Sequence, residues 1–416
     1  MYLHKRFMKF ILALGPGIFC IGYTIGTGSV TSMIKAGSQY GMQLLWVLAL
    51  STLFAGILME AYGRFAAVTG ETAVYGFKTH LKNGKFWAIL IIIGVVMGQW
   101  SSLSGILALT SNALYEVTRL FFPTLPTEHY QSILGIAIFL ILMMYGLLLI
   151  GRYSFFEKLL IFFVAIMAIS FVLTTFIVIP SPEEITSGLV PSIPNRGYLM
   201  VAAFVGTTMA APTFVVRPLI VKEKGWSREN RKEQTKDAIV SAVLMFVIST
   251  AIMISATGAL FHKNLSVERV LDMVTALEPV AGKFAIAIFM VGAMSAGLSS
   301  IFPIIMVFPL LLGDYRNGEM DVRSKTFRIL TGIACVVGLT VPILGSNPIM
   351  AQIATQVANV FILPVVIGGG IILVNSKKLM GSHRAGPFLN IGLVTALIFS
   401  FLISFVGIQG LADLLK

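Results

Sequence analysis

The sequence predicts an all-α polytopic membrane protein, and three observations carry that prediction. Of 416 residues, 57% are hydrophobic and 12% charged, where a soluble domain has roughly 25% charged residues. Mean hydropathy is +0.91. Apolar runs of the roughly 20 residues needed to cross a bilayer recur along the whole chain. Two of those runs are interrupted at matched places by glycine, threonine, serine and proline, which predicts two repeats rather than an unpatterned bundle.

Taken in order, the apolar runs give eleven spans: 10–34, 43–63, 87–113, 131–150, 154–180, 198–222, 238–261, 282–312, 327–345, 348–374 and 388–411. The first follows a short basic flank, Met1 to Lys9, with no small-residue cleavage pattern behind it, so it reads as a retained span and not as a signal peptide. Residues 64–85 and 263–281 separate spans by enough chain for short surface helices. The stretch "WSRENRKEQTKDAIV" (226–240) mixes both charge signs and reads as a solvated loop leading into span 7. No low-complexity linker divides the chain, so residues 1–416 form one transmembrane domain. Repeat one covers about 10–180, repeat two about 198–374, and an additional helix about 388–411.

Charge orients these spans. An N-terminus in the cytoplasm places 22 basic residues, among them Arg64, Lys78, Lys222, Lys224 and Arg231, on the cytoplasmic side. Seven, including Lys35, Arg119 and Arg196, lie opposite, and Arg217 falls inside span 6. Basic loops stay inside, so the C-terminus is extracytoplasmic and the expected location is a bacterial cytoplasmic membrane. The formal net charge of +12 then records topology in separate short loops and does not point to nucleic acid. The two cysteines, Cys20 and Cys335, both lie within spans without neighbouring ligands, which predicts small packing residues and no metal site or cofactor. Paired carboxylates, a metal cluster or a serine–histidine set are missing from the spans, so an enzyme is not expected. The chain is expected to act as a monomer in the lipid bilayer.

The breaks carry the functional signal. "YTIGTGSVTS" (23–32) interrupts span 1, and "FVGTTMAAPTFVVRP" (204–218) interrupts span 6. Five spans separate them, an odd number, so a five-span repeat is inverted across the membrane. Paired interrupted helices in inverted halves mark the substrate site of a secondary transporter. The substrate-binding residues expected there are Tyr23, Gly26, Thr27, Gly28 and Ser29 in the first break. In the second they are Gly206, Thr207, Thr208, Ala210, Ala211, Pro212 and Thr213. Arg217, further along span 6, is expected to act electrostatically or as a gate.

The run "LGPGIFCIGYTIGTGSVTSMIKAGSQYGMQLLW" (14–46) resembles the first two helices of the Nramp divalent-metal transporters. "SAGLSSIFPIIMVF" (295–308) resembles their eighth helix and "TQVANVFILP" (355–364) their tenth. The resemblance implies a LeuT-like fold, an inverted repeat of 5+5 transmembrane helices plus an eleventh, with helices 1 and 6 broken at midplane. It also implies rocking of spans 1, 2, 6 and 7 against the rest. The family's Asp-Pro-Gly-Asn falls on Gly26, Thr27, Gly28 and Ser29. Its Met-Pro-His falls in Met209 to Thr213, with Ala210 at the methionine, and its later histidine falls on Arg217. Acidic residues of its third helix fall at about Ser102, Leu109 and Asn112, and a glutamine of its eighth helix on Leu298. Ser102 and Asn359 of the tenth-helix run join Arg217 as expected gating or electrostatic residues.

Acidic side chains fall in loops or near span ends, with Glu60 and Glu157 toward the cytoplasmic ends of spans 2 and 5. A divalent cation usually takes a carboxylate ligand, and charge at membrane depth is expensive without a partner. Helix N-termini at the breaks favour anions, and Arg217 adds positive charge. The expected cargo is therefore a small oxyanion, with bicarbonate as the specific expectation and a small carboxylate as a relative. The alternative is a divalent cation, Mg²⁺ or Mn²⁺, held partly hydrated and coupled to a proton. An uncharged solute is a third reading.

Overall fold

The computed structural model describes residues 16–126, 129–150, 153–176, 180–261, 267 and 270–414. The side chains of Thr27, Leu120, Tyr153, Ser154, Phe156, Leu414 and of residues 270–286 lie outside that description. The basic flank and the first residues of span 1 fall outside it as well. The chain forms α1 (Pro16–Thr24), α2 (Thr27–Tyr40), α3 (Leu45–Thr69), α4 (Ala73–His80), α5 (Gly84–Phe121), α6 (Tyr130–Leu149) and α7 (Tyr153–Thr175). It continues with α8 (Pro182–Ser187), α9 (Tyr198–Thr208), α10 (Ala211–Glu223), α11 (Arg231–Leu260) and α12 (Val270–Asn317). The last elements are α13 (Lys325–Gly338), α14 (Thr340–Leu344), α15 (Pro348–Asn359), α16 (Leu363–Asn375), α17 (Lys377–Met380) and α18 (Pro387–Leu414). Among the described residues, ten helical units are long and apolar enough to span a bilayer. The pair α1–α2, bent by 49°, makes an eleventh.

The broken pairs occupy the centre. Every residue of α1 is buried, and the α9–α10 unit is almost wholly enclosed by its neighbours. The outer helices expose their apolar side chains instead, as Phe139 and Leu142 on α6 and Phe388, Phe401 and Phe405 on α18 show. Lipid covers such faces, and each helix satisfies its own backbone within the hydrocarbon.

Three elements differ from the sequence expectation for local reasons. The stretch 226–240 is helical from Arg231. Ser227 Oγ accepts from the Glu229 amide, Asn230 Oδ1 accepts from the Ser227 amide, and this box starts the helix seven residues early. The charged residues that suggested a loop lie on the outer face, while Gln234 and Asp237, three apart, turn inward. Residues 270–281, expected as a separate surface segment, continue directly into α12. Span 10 is two helices joined by a tight turn at Val360–Ile362, next to Pro364, which has no amide to donate.

Several bonds at one end of the molecule tie these helices together. Asp314, near the end of α12, accepts from the Thr72 hydroxyl and from the amides of Val74 and Tyr75 at 3.0 and 2.9 Å, capping α4 from a distant part of the chain. At the end of α10, Lys222 donates to the Gly318 carbonyl at 2.8 Å. Lys224 pairs with Glu157 of α7 at 2.5 Å.

Candidate binding cleft between the broken helices

Local backbone opens both breaks. Gly26 is extended, with φ −98° and ψ −170°, so α1 stops and α2 restarts at an angle. In the second break Met209 and Ala210 leave the helical region, and Pro212 stands at the second position of α10, where a missing amide costs nothing. Each break brings two helix ends together. The N-termini of α2 and α10 present amides, and the C-termini of α1 and α9 present carbonyls. Ser300 of α12 donates to the Gly22 carbonyl at 2.7 Å, and Thr207 to the Thr24 carbonyl at 3.3 Å. The Tyr23 hydroxyl donates to the Pro303 carbonyl at 3.0 Å, holding α1 against α12.

A cleft remains between the breaks, α5, α12 and α15. Tyr23, Gly26, Gly28, Ser102, Thr207 and Ala210, all expected from the sequence, line it. So do Gln99, Ser300 and Gln356, which were not. Its inner space is about 10 Å³, near the lower bound for one water. Two glutamines dominate the polar side. Ser102 Oγ accepts from Gln352 Nε2 at 2.8 Å and from Gln356 Nε2 at 3.4 Å, and Gln356 Oε1 accepts from Asn359 at 3.4 Å. A methyl group on Gly28 would overlap both glutamine amides, and one on Gly206 would overlap the Gln356 carbonyl. Only glycine lets the broken helices meet α15 this closely.

The other expected residues lie around this cleft. Ser29, Thr208, Ala211, Pro212 and Thr213 are buried in the flanking turns. Thr27 opens α2, but its side chain is among those not described. The hydroxyls of Ser29, Thr208 and Thr213 and the carboxamide oxygen Gln352 Oε1 are buried without a hydrogen-bond partner. Each such atom needs an accounting, and a bound water or ion is one way to supply it. Among the described residues, no group of three or more histidine, cysteine, aspartate or glutamate side chains could hold a metal.

Arg217 corrects the electrostatic expectation. It does not line the cleft. Its Nη2 donates to Asp237 Oδ2 at 2.8 Å, with the two side chains 0% and 1% exposed. Asp237 also accepts from the Gly17 amide at 3.2 Å, and Arg217 Nη1 lies 3.6 Å from Cys20 Sγ. The positive charge that favoured an anion is thus cancelled by an aspartate the sequence placed at a span edge. Gln352 and Gln356 were not among the residues expected at the site. Their signal is present, since Gln352, Gln356 and Asn359 recur at helical spacing inside an apolar run.

Comparison with known proteins places this architecture. The model of the family described as "Natural resistance-associated macrophage protein-like" matches residues 17–409. A relative named divalent metal cation transporter MntH, from Caldanaerobacter subterraneus, is 24% identical over 93% of this chain and 90% of its own length. Another of the same name, from Mycobacterium leprae, is 22% identical over 94% and 90%. The structure of an Eremococcus coleocola manganese transporter bound to an aromatic bis-isothiourea compound superposes with a TM-score of 0.75. It is 15% identical and covers 98% of this chain and 87% of its own. MhsT in complex with L-phenylalanine superposes at 0.63, with 13% identity, 95% of this chain and 98% of its own. The fold is the LeuT-type transporter fold. The expectation of bicarbonate, another small inorganic anion or a carboxylate as cargo does not stand. The relatives are named for divalent metal cations, and the charge argument behind that expectation fails at Asp237.

Proposed function

The chain belongs to the natural resistance-associated macrophage protein (Nramp) family of membrane transporters, and from that premise we propose that it is a secondary transporter of a hard divalent cation, Mg²⁺ or Mn²⁺. The observation that carries this reading is the set of buried hydroxyls without partners at the breaks: Ser29, Thr208 and Thr213. Together with Gln356 and the carbonyl ends of α1 and α9, they offer neutral oxygen ligands to a cation. Half-helix C-termini and unwound carbonyls serve cations in this type of fold. Without a carboxylate the ion keeps part of its water shell, which suits Mg²⁺ and its reluctance to dehydrate. The cleft is nearly closed, so Gln356 and Ser300 must draw back to admit such an ion. Spans 1, 2, 6 and 7 rock against the others to expose it to either side.

The chain sits in the bacterial cytoplasmic membrane as a monomer, N-terminus inside, with the two five-span repeats and the eleventh helix bounded as the hydropathy pattern sets them. Purified protein in liposomes, loaded with a divalent-sensitive dye, tests the reading. Saturable Mg²⁺ or Mn²⁺ uptake that Gln356→Ala weakens supports it. No flux of either ion from functional protein sinks it.

One observation favours a second reading. Carboxamides and hydroxyls donate as well as accept, and the cleft lining carries no carboxylate, so the same residues fit a small uncharged polar solute. Protection of the protein against heat by such a solute and by neither cation would select it.

A further inference from the structure

A second cavity, of about 500 Å³, lies where the end of α16 meets the start of α18. Its walls are mostly polar, with Asn375, Ser382, Arg384 and Asn390 among them. The two asparagines hold the helix ends together. Asn375 Nδ2 donates to Asn390 Oδ1 at 2.7 Å, and Asn390 Nδ2 donates to Asn375 Oδ1 at 3.0 Å. Their remaining amide hydrogens go to the Ile371 and Ala385 carbonyls. The carboxamide donors are thus spent on the fold.

Two other donors are not. The Arg384 guanidinium and the Ser382 hydroxyl line the cavity, are exposed, and have no hydrogen-bond or ion-pair partner among the described residues. Charge along this part of the chain has one sign. The connection 376–386 carries Lys377, Lys378 and Arg384, and the sequence has no acidic residue between Asp321 and Asp413. The first turn of α18, whose leading amides lack acceptors within the helix, adds positive potential. An unpaired guanidinium in a recess without carboxylates fits a phosphate group, which its planar fork can grip with two parallel bonds.

The surroundings say what carries that phosphate. Ile372 on α16 and Phe388 and Ile391 on α18 are 55%, 90% and 65% exposed, and Phe388 directly follows Pro387 of the cavity wall. Apolar side chains this open face acyl chains, so the cavity lies at the boundary between hydrocarbon and water. We infer that it seats the phosphate of an anionic phospholipid, with Arg384 and Ser382 donating to the phosphate oxygens and the acyl chains lying beside Phe388 and Ile391. The charge rule places this end in the cytoplasmic leaflet, where basic pockets at helix ends hold anionic headgroups. A choline lipid carries the same phosphate but brings a fixed cation into a basic recess.

Native mass spectrometry of the full chain, titrated with phosphatidylglycerol and phosphatidylcholine of identical acyl chains, tests the site. Phosphatidylglycerol is expected to bind roughly tenfold tighter, the scale of one hydrogen bond between charged groups. Arg384→Gln is expected to erase the preference, and Arg384→Lys, which keeps the charge and loses the fork, to retain part of it. Lys82→Gln, which removes an exposed cation from another loop on the same side, is expected to leave it intact. Equal binding of the two lipids by the wild-type chain overturns the site, as does a preference that survives in Arg384→Gln. A loss in Lys82→Gln as large as in Arg384→Gln would assign the preference to diffuse surface charge and overturn it too. Displacement of phosphatidylglycerol by inorganic phosphate would overturn the lipid as the source. The wild-type comparison needs no variant, so it decides the matter even where a substitution impairs folding.

Discussion

Arg217 and Asp237 form an ion pair at 2.8 Å in the interior of the protein, joining the second half of span 6 to span 7. The Gly17 amide on Asp237 draws the first half of span 1 into the same knot. Removing one member of such a pair leaves an uncompensated buried charge, a loss of about 3–5 kcal/mol, whereas replacing both with apolar residues is close to neutral. Arg217→Ala or Asp237→Ala alone is therefore expected to lower the melting temperature sharply in detergent. Arg217→Met combined with Asp237→Leu is expected to recover most of it. Additive losses in the double variant would show that the two residues act separately.

Gln356 stands over Gly28 and bonds to Ser102 and Asn359. Gln356→Ala is expected to raise the KM for divalent-cation uptake by roughly tenfold, the scale of one lost ligand contact to a charge. Gln356→Glu supplies the missing carboxylate and is expected to tighten Mn²⁺ binding, read by isothermal titration. A Gln356→Glu chain that binds Mn²⁺ no better than wild type would remove Gln356 from the ion's surroundings.

Gly206→Ala sets a methyl against the Gln356 carbonyl oxygen. Separating α9 from α15 is expected to cost about 1–3 kcal/mol, as overpacking does, and to abolish uptake. Gly368→Ala is the control, since nothing lies within 4 Å of its added methyl. Thermal unfolding and liposome flux of the two variants compare them directly.

The cleft lining holds no carboxylate or imidazole. Histidine and perturbed carboxylates are the groups that make a site titrate near neutrality. Initial uptake at fixed free cation concentration is thus expected to vary by less than about twofold between pH 5.5 and 8. A steep pH dependence would place a titrating group in the transport cycle.

The spans and the backbone breaks are legible in the sequence because both depend on local chemistry. Apolar length sets a span, and Gly26 and Pro212 mark where helices stop. What was not legible is pairing across the chain. Asp237 reads as a span-edge acid until it is known to meet Arg217, twenty residues away in sequence but on a different helix. The same limit hid Ser300, a serine in an apolar run until its hydroxyl is seen on the Gly22 carbonyl. Gln352 and Gln356 were readable in principle, since buried amides in a membrane helix need partners.

The ties on the second half of span 6 differ in where they sit. The bond to its companion span 7 is sealed away from solvent. Those to the opposing helices, Lys222 on Gly318 and Lys224 on Glu157, lie at the rim, the latter with side chains 24% and 15% exposed. Water can replace the rim bonds as they break, and salt weakens them, while nothing replaces the inner one. In the rocking proposed above, span 6 would therefore part from its neighbours at these wet bonds, while the Arg217–Asp237 pair stays whole.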